Sequence, residues 1–137
     1  MIRTVHNDIL MNPKLKAIID KYRTCPEFFT IELLDVNQRG NTGDTLVHVA
    51  AVNEEVDDIA LLVACGAQVN TKGDLGNTPL HQVSSMGRVK SVKKLLQLGA
   101  DPTIKNEFGE TALDLAEFMK RDEVTKLLKD HISGRRT

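Results

Sequence analysis

The sequence predicts an all-α protein, a solenoid built from a stack of small, similar helix pairs. The motif Gly-x-Thr occurs three times at one fixed interval, as Gly43-Asp44-Thr45, Gly76-Asn77-Thr78 and Gly109-Glu110-Thr111. Each of the first two motifs is followed by a further glycine, and these two glycines, Gly66 and Gly99, are separated by the same interval. A fixed period in the range of about 20–50 residues is the signature of a repeat protein, in which each unit packs only on its neighbours.

The middle unit shows how the period becomes a helix pair. Thr78 can act as an N-cap, and Pro79 suits the first helical position, where no backbone donor is needed. Apolar residues then recur at helical spacing until Gly87, which can adopt the positive φ that ends a helix. A second helix is predicted over about residues 89–98, and Gly99 ends it.

The segment between Gly99 and Gly109 is polar and contains Pro102 and Asn106. These residues favour an extended arm with a tight turn, not a third helix. Each unit is therefore predicted to consist of helix, turn, helix and a protruding hairpin-like loop. Neither helix is long enough to be stable alone, so the units must stabilise each other through their apolar faces.

A degenerate unit precedes the three clear ones. Residues 33–40 match residues 66–73, which places a further loop before Gly43. Pro26 can only open a helix, so we expect a short second helix over residues 26–34. The register before Pro26 is not fixed by the sequence.

The repeat predicts one domain over residues 1–132 and a flexible basic tail over residues 133–137. The predicted parts of the domain are an N-terminal capping unit at 1–42, repeats at 43–75 and 76–108, and a C-terminal capping repeat at 109–132.

Composition excludes several classes of partner. The 18 basic and 19 acidic residues leave a net charge of -1, so no strong field attracts nucleic acid or an anionic membrane. The chain shows no signal-peptide pattern and no apolar run near the roughly 18 residues of a membrane span. We therefore expect a cytoplasmic protein without membrane contact. Cys25 and Cys65 lack the paired spacing of a zinc site, and we expect reduced thiols.

Several positions agree in register across the units. The motif Thr78-Pro79-Leu80-His81 and the run Leu95-Leu96-x-x-Gly99-Ala100-Asp101 have counterparts one period away. In period and signature the units resemble ankyrin repeats, over about residues 33–131. In the last unit Asp114 stands in place of the histidine, a replacement that is frequent in C-terminal ankyrin caps. Glu54 stands where a glycine usually ends the first helix, so we expect a looser turn there.

The sequence shows no motif for catalysis or metal binding. It contains no His-x-x-x-His, Gly-x-Ser-x-Gly or Gly-x-x-x-x-Gly-Lys-Ser/Thr pattern. The resemblance implies that His48 and His81 bond locally and to the neighbouring backbone. We therefore predict a protein that is not an enzyme, with no cofactor, no metal ion and no small-molecule substrate.

The resemblance also implies a surface for binding another protein, because ankyrin-like stacks generally bind partners through their loop tips and the concave face of their first helices. The tip residues carried over by position are Asn41, Thr42, Asp44, Asp74, Leu75, Asn77, Glu107, Phe108 and Glu110. The concave helix positions are Val52, Asn53, Ser85, Met86, Phe118 and Met119. A basic column is expected beside the tips, formed by Arg39, Lys72 and Lys105.

An apolar stripe is predicted within this surface. Leu75 and Phe108 are apolar residues at loop tips, and Met86, Phe118 and Met119 lie on the neighbouring concave face. Aromatic residues and methionine inside a charged rim are typical of protein interfaces. In the alternative, the two tip residues fold back onto adjacent tips and Phe118 seals the end of the core.

Two functions remain open at this point. The first is a stand-alone adaptor or inhibitor that is monomeric when free and binds one protein partner; similar short chains include bacterial immunity proteins that neutralise a toxin. The second is a regulatory or scaffold subunit of a larger assembly, for which Arg39, Lys72, Lys105 and the arginine-rich tail offer a route to contact nucleic acid. The near-neutral charge disfavours the second function.

Overall fold

The computed structural model describes residues 12–28 and 35–134, and within these ranges it contains helices and turns but no β-strand. The helices are α1 (Pro13–Tyr22), α2 (Leu46–Val52), α3 (Val56–Ala64), α4 (Pro79–Met86), α5 (Val89–Gln97), α6 (Ala112–Phe118) and α7 (Asp122–Ile132). A short 3₁₀ turn covers Asp74–Gly76. The pairs α2–α3, α4–α5 and α6–α7 recur at the interval of the sequence repeat, which confirms the predicted all-α solenoid.

The first helices of the three pairs, α2, α4 and α6, form one layer, which we call the inner helices. The second helices, α3, α5 and α7, form the other layer. Helix α4 packs on both α2 and α6, and α5 packs on both α3 and α7, so each unit covers its neighbour. The core between the layers includes Leu46, Val47, Ala50, Ile59, Leu62, Leu80, Val83, Val92, Leu95, Ala116, Val124 and Leu128.

Capping threonines begin the inner helices, as the sequence predicts. The Thr78 hydroxyl accepts a hydrogen bond from the His81 N–H at 3.3 Å, and the Thr78 N–H donates to His81 Nδ1 at 3.0 Å. In the last unit Asp114 takes the place of the histidine: its carboxylate accepts from the Thr111 N–H at 2.9 Å. This reciprocal pairing satisfies two backbone donors that a helix start would otherwise leave free.

The histidines of the signature also join each unit to the next. His48 Nε2 lies 2.9 Å from the carbonyl oxygen of Asn77, and His81 Nε2 lies 2.9 Å from that of Glu110. Because Nδ1 accepts the threonine N–H, Nε2 carries the proton and donates to these carbonyls. Burial lowers the pKa of both histidines, since a charged ring would lose its hydration.

Helix α1 packs against α3 and runs antiparallel to it. Asn12, which caps the start of α1, has its amide 3.7 Å from Sγ of Cys65 at the end of α3. At the other end, the Tyr22 hydroxyl donates to Asp58 in the first turn of α3 at 2.9 Å. The apolar face of α1, made of Leu15, Ile18, Ile19 and Tyr22, is buried.

The degenerate unit is described only in part. Residues 26–28 form a turn, and the rest of the helix expected over residues 26–34 lies outside the described residues. The side-chain amide of Asn37 donates to the carbonyl of Gly66, and its oxygen accepts from the Gln68 N–H. Asn70 repeats the second of these bonds one unit later by accepting from the Asp101 N–H at 2.8 Å. The match of this segment to the next loop therefore has a structural counterpart within residues 35–40.

The turn between the two helices of a unit has the same geometry in each unit, so the expectation of a looser turn at Glu54 is wrong. Glu54, Gly87 and Lys120 all have positive φ, at 56°, 72° and 58°. In each case the next N–H bonds to a carbonyl five residues back: Glu55 to Ala50 at 3.0 Å, Arg88 to Val83 at 2.9 Å, and Arg121 to Ala116 at 2.8 Å. The Glu54 carboxylate also accepts a hydrogen bond from the Lys90 N–H at the start of α5. This bond favours a glutamate at position 54, because a negative charge is stabilised near the start of a helix.

Ser84 in α4 carries a buried hydroxyl without a hydrogen-bond partner in the described part of the chain. Ser84→Ala is expected to raise the free energy of unfolding by about 1 kcal/mol, because a buried unpaired polar group costs about 1–3 kcal/mol. Ser91→Ala is the matched control and should lower it, since the Ser91 hydroxyl donates to the Ala51 carbonyl. Guanidinium unfolding of the two variants measures both effects, and a loss of stability in Ser84→Ala would contradict the prediction.

Stability is expected to fall as the pH drops below about 6.5, the ordinary histidine pKa. Because burial lowers the pKa of His48 and His81 in the folded state, the unfolded chain takes up protons first. Their contribution is fully present above that pH and declines below it. The guanidinium midpoint should therefore be lower at about pH 5.5 than at about pH 7.5. His81→Gln should weaken this dependence, and an unchanged wild-type midpoint would contradict it.

Candidate protein-binding face

The structure places the predicted tip residues in the loops before the inner helices, and the predicted helix residues at the far ends of those helices or in the turns that follow. Leu75 and Phe108 are 48% and 67% exposed at the second and third tips. On the inner helices and the turns that end them, Met86, Phe118 and Met119 are 38%, 81% and 44% exposed. These exposures contradict the alternative in which the tip residues fold back and Phe118 seals the core. We call these five residues the apolar patch.

The apolar patch is confined to the second and third units. The tip position held by Leu75 and Phe108 is occupied by Thr42 in the first tip. Likewise, the position held by Met86 and Met119 is occupied by Asn53 in the first unit. The first unit therefore offers no exposed large apolar side chain at the matching places, and the patch has a polar edge on this side.

The first tip bonds to the segment before it. The Thr42 N–H donates to the Glu27 carboxylate at 2.7 Å, and its hydroxyl bonds to the same group. The Asn41 N–H donates to the Glu27 carbonyl at 2.7 Å, and the Asn41 amide donates to the Pro26 carbonyl at 2.9 Å. Asn41 and Thr42 thus hold the first loop in place.

Asp44 links the first tip to the second unit. One carboxylate oxygen accepts from the Asp74 N–H at 2.9 Å, and the other accepts from the Gln82 amide at 2.9 Å. Its side chain is only 17% exposed. The structure therefore gives this predicted contact residue an internal role: it fixes where the second tip stands.

Asn106 performs the corresponding function between the second and third tips. Its amide donates to Asn77 Oδ1 at 2.9 Å and to Glu110 Oε1 at 3.2 Å. A backbone bond of 3.1 Å from the Glu107 N–H to the Leu75 carbonyl joins the same two tips. Asn77 and Glu110, both predicted contact residues, are thus engaged within the tip row. The outward side chains of that row are Leu75, Phe108, Asp74 and Glu107.

The predicted basic column does not form as three equivalent cations. The Arg39 guanidinium donates to the Gly43 carbonyl at 2.8 Å and also to the Lys72 carbonyl. Arg39 therefore ties the first two loops together. Lys72 and Lys105 are exposed and show no ion pair among residues 12–28 and 35–134.

Two further apolar residues accompany the predicted helix positions. Val49 and Leu115 are half-buried and stand one helical turn before Val52 and Phe118 on the same sides of α2 and α6. Gln82 occupies the matching position of α4, one repeat period from each. This row was not among the predicted site residues, although the helical spacing combined with the repeat period identifies it.

The outward side of the last unit is polar. Ala51 and Ser84 are buried against the following unit, whereas Glu117, at the same position of α6, is exposed. Its carboxylate lies 3.3 Å from the Lys129 ammonium of α7. This ion pair, not Phe118, covers the side of the pair α6–α7 that faces away from the stack.

The comparison with protein families agrees with this geometry. The family model described as ankyrin repeats (3 copies) matches residues 15–106, more than half of the chain. The chain belongs to the ankyrin repeat family. Compared with curated proteins, the sequence matches none. Ankyrin repeats generally mediate protein–protein interaction and are typically not catalytic.

The described ankyrin stack was compared with the requirements of a metal site and of a membrane span. Among residues 12–28 and 35–134, no group of three or more His, Cys, Asp or Glu side chains could hold a metal ion. In the same ranges, no helix is both long enough and apolar enough to cross a bilayer. Cys25 and Cys65 are free thiols.

The predicted contact residues should separate into two groups when stability is measured. Asp44→Ala is expected to lower the free energy of unfolding by about 1–3 kcal/mol, because it leaves the Asp74 N–H and the Gln82 amide without their charged acceptor. Phe108→Ala should change it by less than about 0.5 kcal/mol, since an exposed side chain contributes little. Urea unfolding compares the two, and equal losses would contradict this division.

Proposed function

We propose that this ankyrin repeat protein is a module that binds one protein partner through the apolar patch. The observation that carries the proposal is the distribution of exposed large apolar side chains. The described residues have six of them, and five form the patch: Leu75, Met86, Phe108, Phe118 and Met119. The sixth, Ile132, ends α7 on the other layer. Soluble proteins rarely gather exposed apolar groups on one side unless that side binds something.

The surroundings of the patch support a protein as the partner. Asp74, Glu107, Lys72 and Lys105 are exposed beside it and supply charges of both signs. An apolar centre with a mixed charged rim is the usual anatomy of a protein interface. Rim charges of this kind steer association and select among partners more than they add affinity.

Binding itself is the proposed activity, since the face contains no group arranged for chemistry. The protein would act as an adaptor or as an inhibitor that occupies its partner's surface, and a toxin-neutralising immunity protein is one form of the latter. We further propose that the domain spans residues 1–132, is monomeric when free and resides in the cytoplasm. A scaffold subunit that contacts nucleic acid is less well supported, because the Arg39 guanidinium is engaged by two backbone carbonyls.

Affinity capture from the source cells with three baits tests the proposal. The baits are the wild type, Phe118→Glu and Ile132→Glu, and circular dichroism first verifies that each is folded. A partner should be retained by the wild type and by Ile132→Glu, whose change lies outside the patch. Phe118→Glu should lose it, with at least about a 30-fold lower affinity, because a charge at an interface centre costs about 2 kcal/mol or more.

Capture of the same protein by all three baits would contradict the proposal. Repeating the comparison with Met86→Glu extends the test to the second unit. Purified partner and isothermal titration calorimetry then give the affinities directly.

A further inference from the structure

Leu75 is in a backbone conformation that leucine rarely adopts. Its φ of 57° and ψ of 23° place it in the left-handed region within the 3₁₀ turn Asp74–Gly76. This region is unfavourable for L-residues other than glycine, asparagine and aspartate. The side chain is also 48% exposed, so burial offsets only part of the conformational cost.

The other described non-glycine residues with positive φ differ from Leu75. They are Glu54 and Lys120, and both are polar. Glu54 also gains a bond, because its carboxylate accepts the Lys90 N–H. Leu75 alone combines the left-handed backbone with an exposed apolar side chain.

Backbone groups of Leu75 and of its neighbour Asp74 make the hydrogen bonds that fix the second tip. The Leu75 carbonyl accepts the Glu107 N–H at 3.1 Å, and the preceding Asp74 N–H donates to Asp44 at 2.9 Å. These bonds hold the second tip between the first and the third. An asparagine at this position could keep all of them at a lower conformational cost.

An acidic residue precedes the apolar residue in both tips that carry the patch. The pairs are Asp74-Leu75 and Glu107-Phe108, and the first tip has the neutral pair Asn41-Thr42 instead. Both acidic side chains are exposed, and neither forms an ion pair with another described residue. Two neighbouring tips thus present the same combination of charge and apolar surface.

We infer that Leu75 determines specificity, and that the second and third tips bind a partner segment with an apolar side chain flanked by Lys or Arg. The apolar side chain would contact Leu75 and Phe108, and the basic residues would face Asp74 and Glu107. Because hydrogen bonds already fix the tips, binding would order little of this surface. This inference rests on the proposed function and adds the chemistry of the partner.

Leu75→Asn tests the first part without a partner. If the side chain serves only binding, the variant should unfold at a temperature about 2–4 °C higher than the wild type. Lys120→Asn is the matched control, since Lys120 has nearly the same φ of 58° and is also exposed. A rise in Lys120→Asn together with a fall in Leu75→Asn would show that the leucine side chain stabilises the fold, and would overturn the inference.

Selection of random peptides displayed on phage tests the second part, with the wild-type protein as bait. The selected peptides should share an apolar residue next to Lys or Arg. Their affinity should fall about tenfold or more with Leu75→Asn, and also with the double variant Asp74→Asn, Glu107→Gln. Their binding should also weaken as salt rises, because exposed charges are screened. Selected peptides that are acidic or neutral, or that bind Leu75→Asn equally well, would overturn the inference.

Phe118→Glu separates this outcome from a failure of the proposed function. Peptides that bind Leu75→Asn normally but not Phe118→Glu would use the apolar patch without the tips, so the proposed function would stand and the inference would fall. Peptides that bind both variants normally would contradict both.

Discussion

The hydrogen bond from a buried histidine to the carbonyl of the following unit is the interaction on which the position of the proposed binding face depends. His48 and His81 each accept a backbone N–H at the start of their own helix and donate to a carbonyl at the base of the next loop. One neutral ring therefore sets the helix start and the position of the adjoining tip together. Since each unit contacts only its neighbours, the spacing of the tips follows from these local links.

The tip row shows how a repeat protein combines rigidity with variable contacts. Asp44 and Asn106 direct their polar groups along the stack and bind the neighbouring tip. Leu75 and Phe108 expose their apolar side chains to solvent. Asp44 and Asn106 keep the loops in register, so the exposed residues at the tips can differ from unit to unit without loss of the fold. This division explains why Asp44 and Asn77, whose side chains bond within the row, are weaker candidates for partner contact than Leu75 and Phe108.

The sequence predicted the parts of the structure that repeat. The repeat period located the capping threonines and the turn at Gly87, and the resemblance to ankyrin repeats implied a tip position for Phe108 and a concave-face position for Phe118. It did not predict the antiparallel course of α1, because this helix packs on α3 through side chains outside the repeat. Nor did it predict the internal role of Asp44, since a carboxylate at a tip can face solvent or bond to the next tip, and only the fold brings it near the Asp74 N–H. Glu54 was misjudged because its compensating contact, the Lys90 N–H, lies one unit away.

The apolar patch is not the remnant of a surface that stacks units. Such a surface would continue the row of Ala51 and Ser84, and in the last unit that row ends in Glu117, which pairs with Lys129. Phe118 belongs instead to the row of Val52 and Ser85, in which no side chain is buried. The same unit is thus polar where a further repeat would pack and apolar where a partner would bind. Packing requirements account for the first property and leave the second to be explained by recognition.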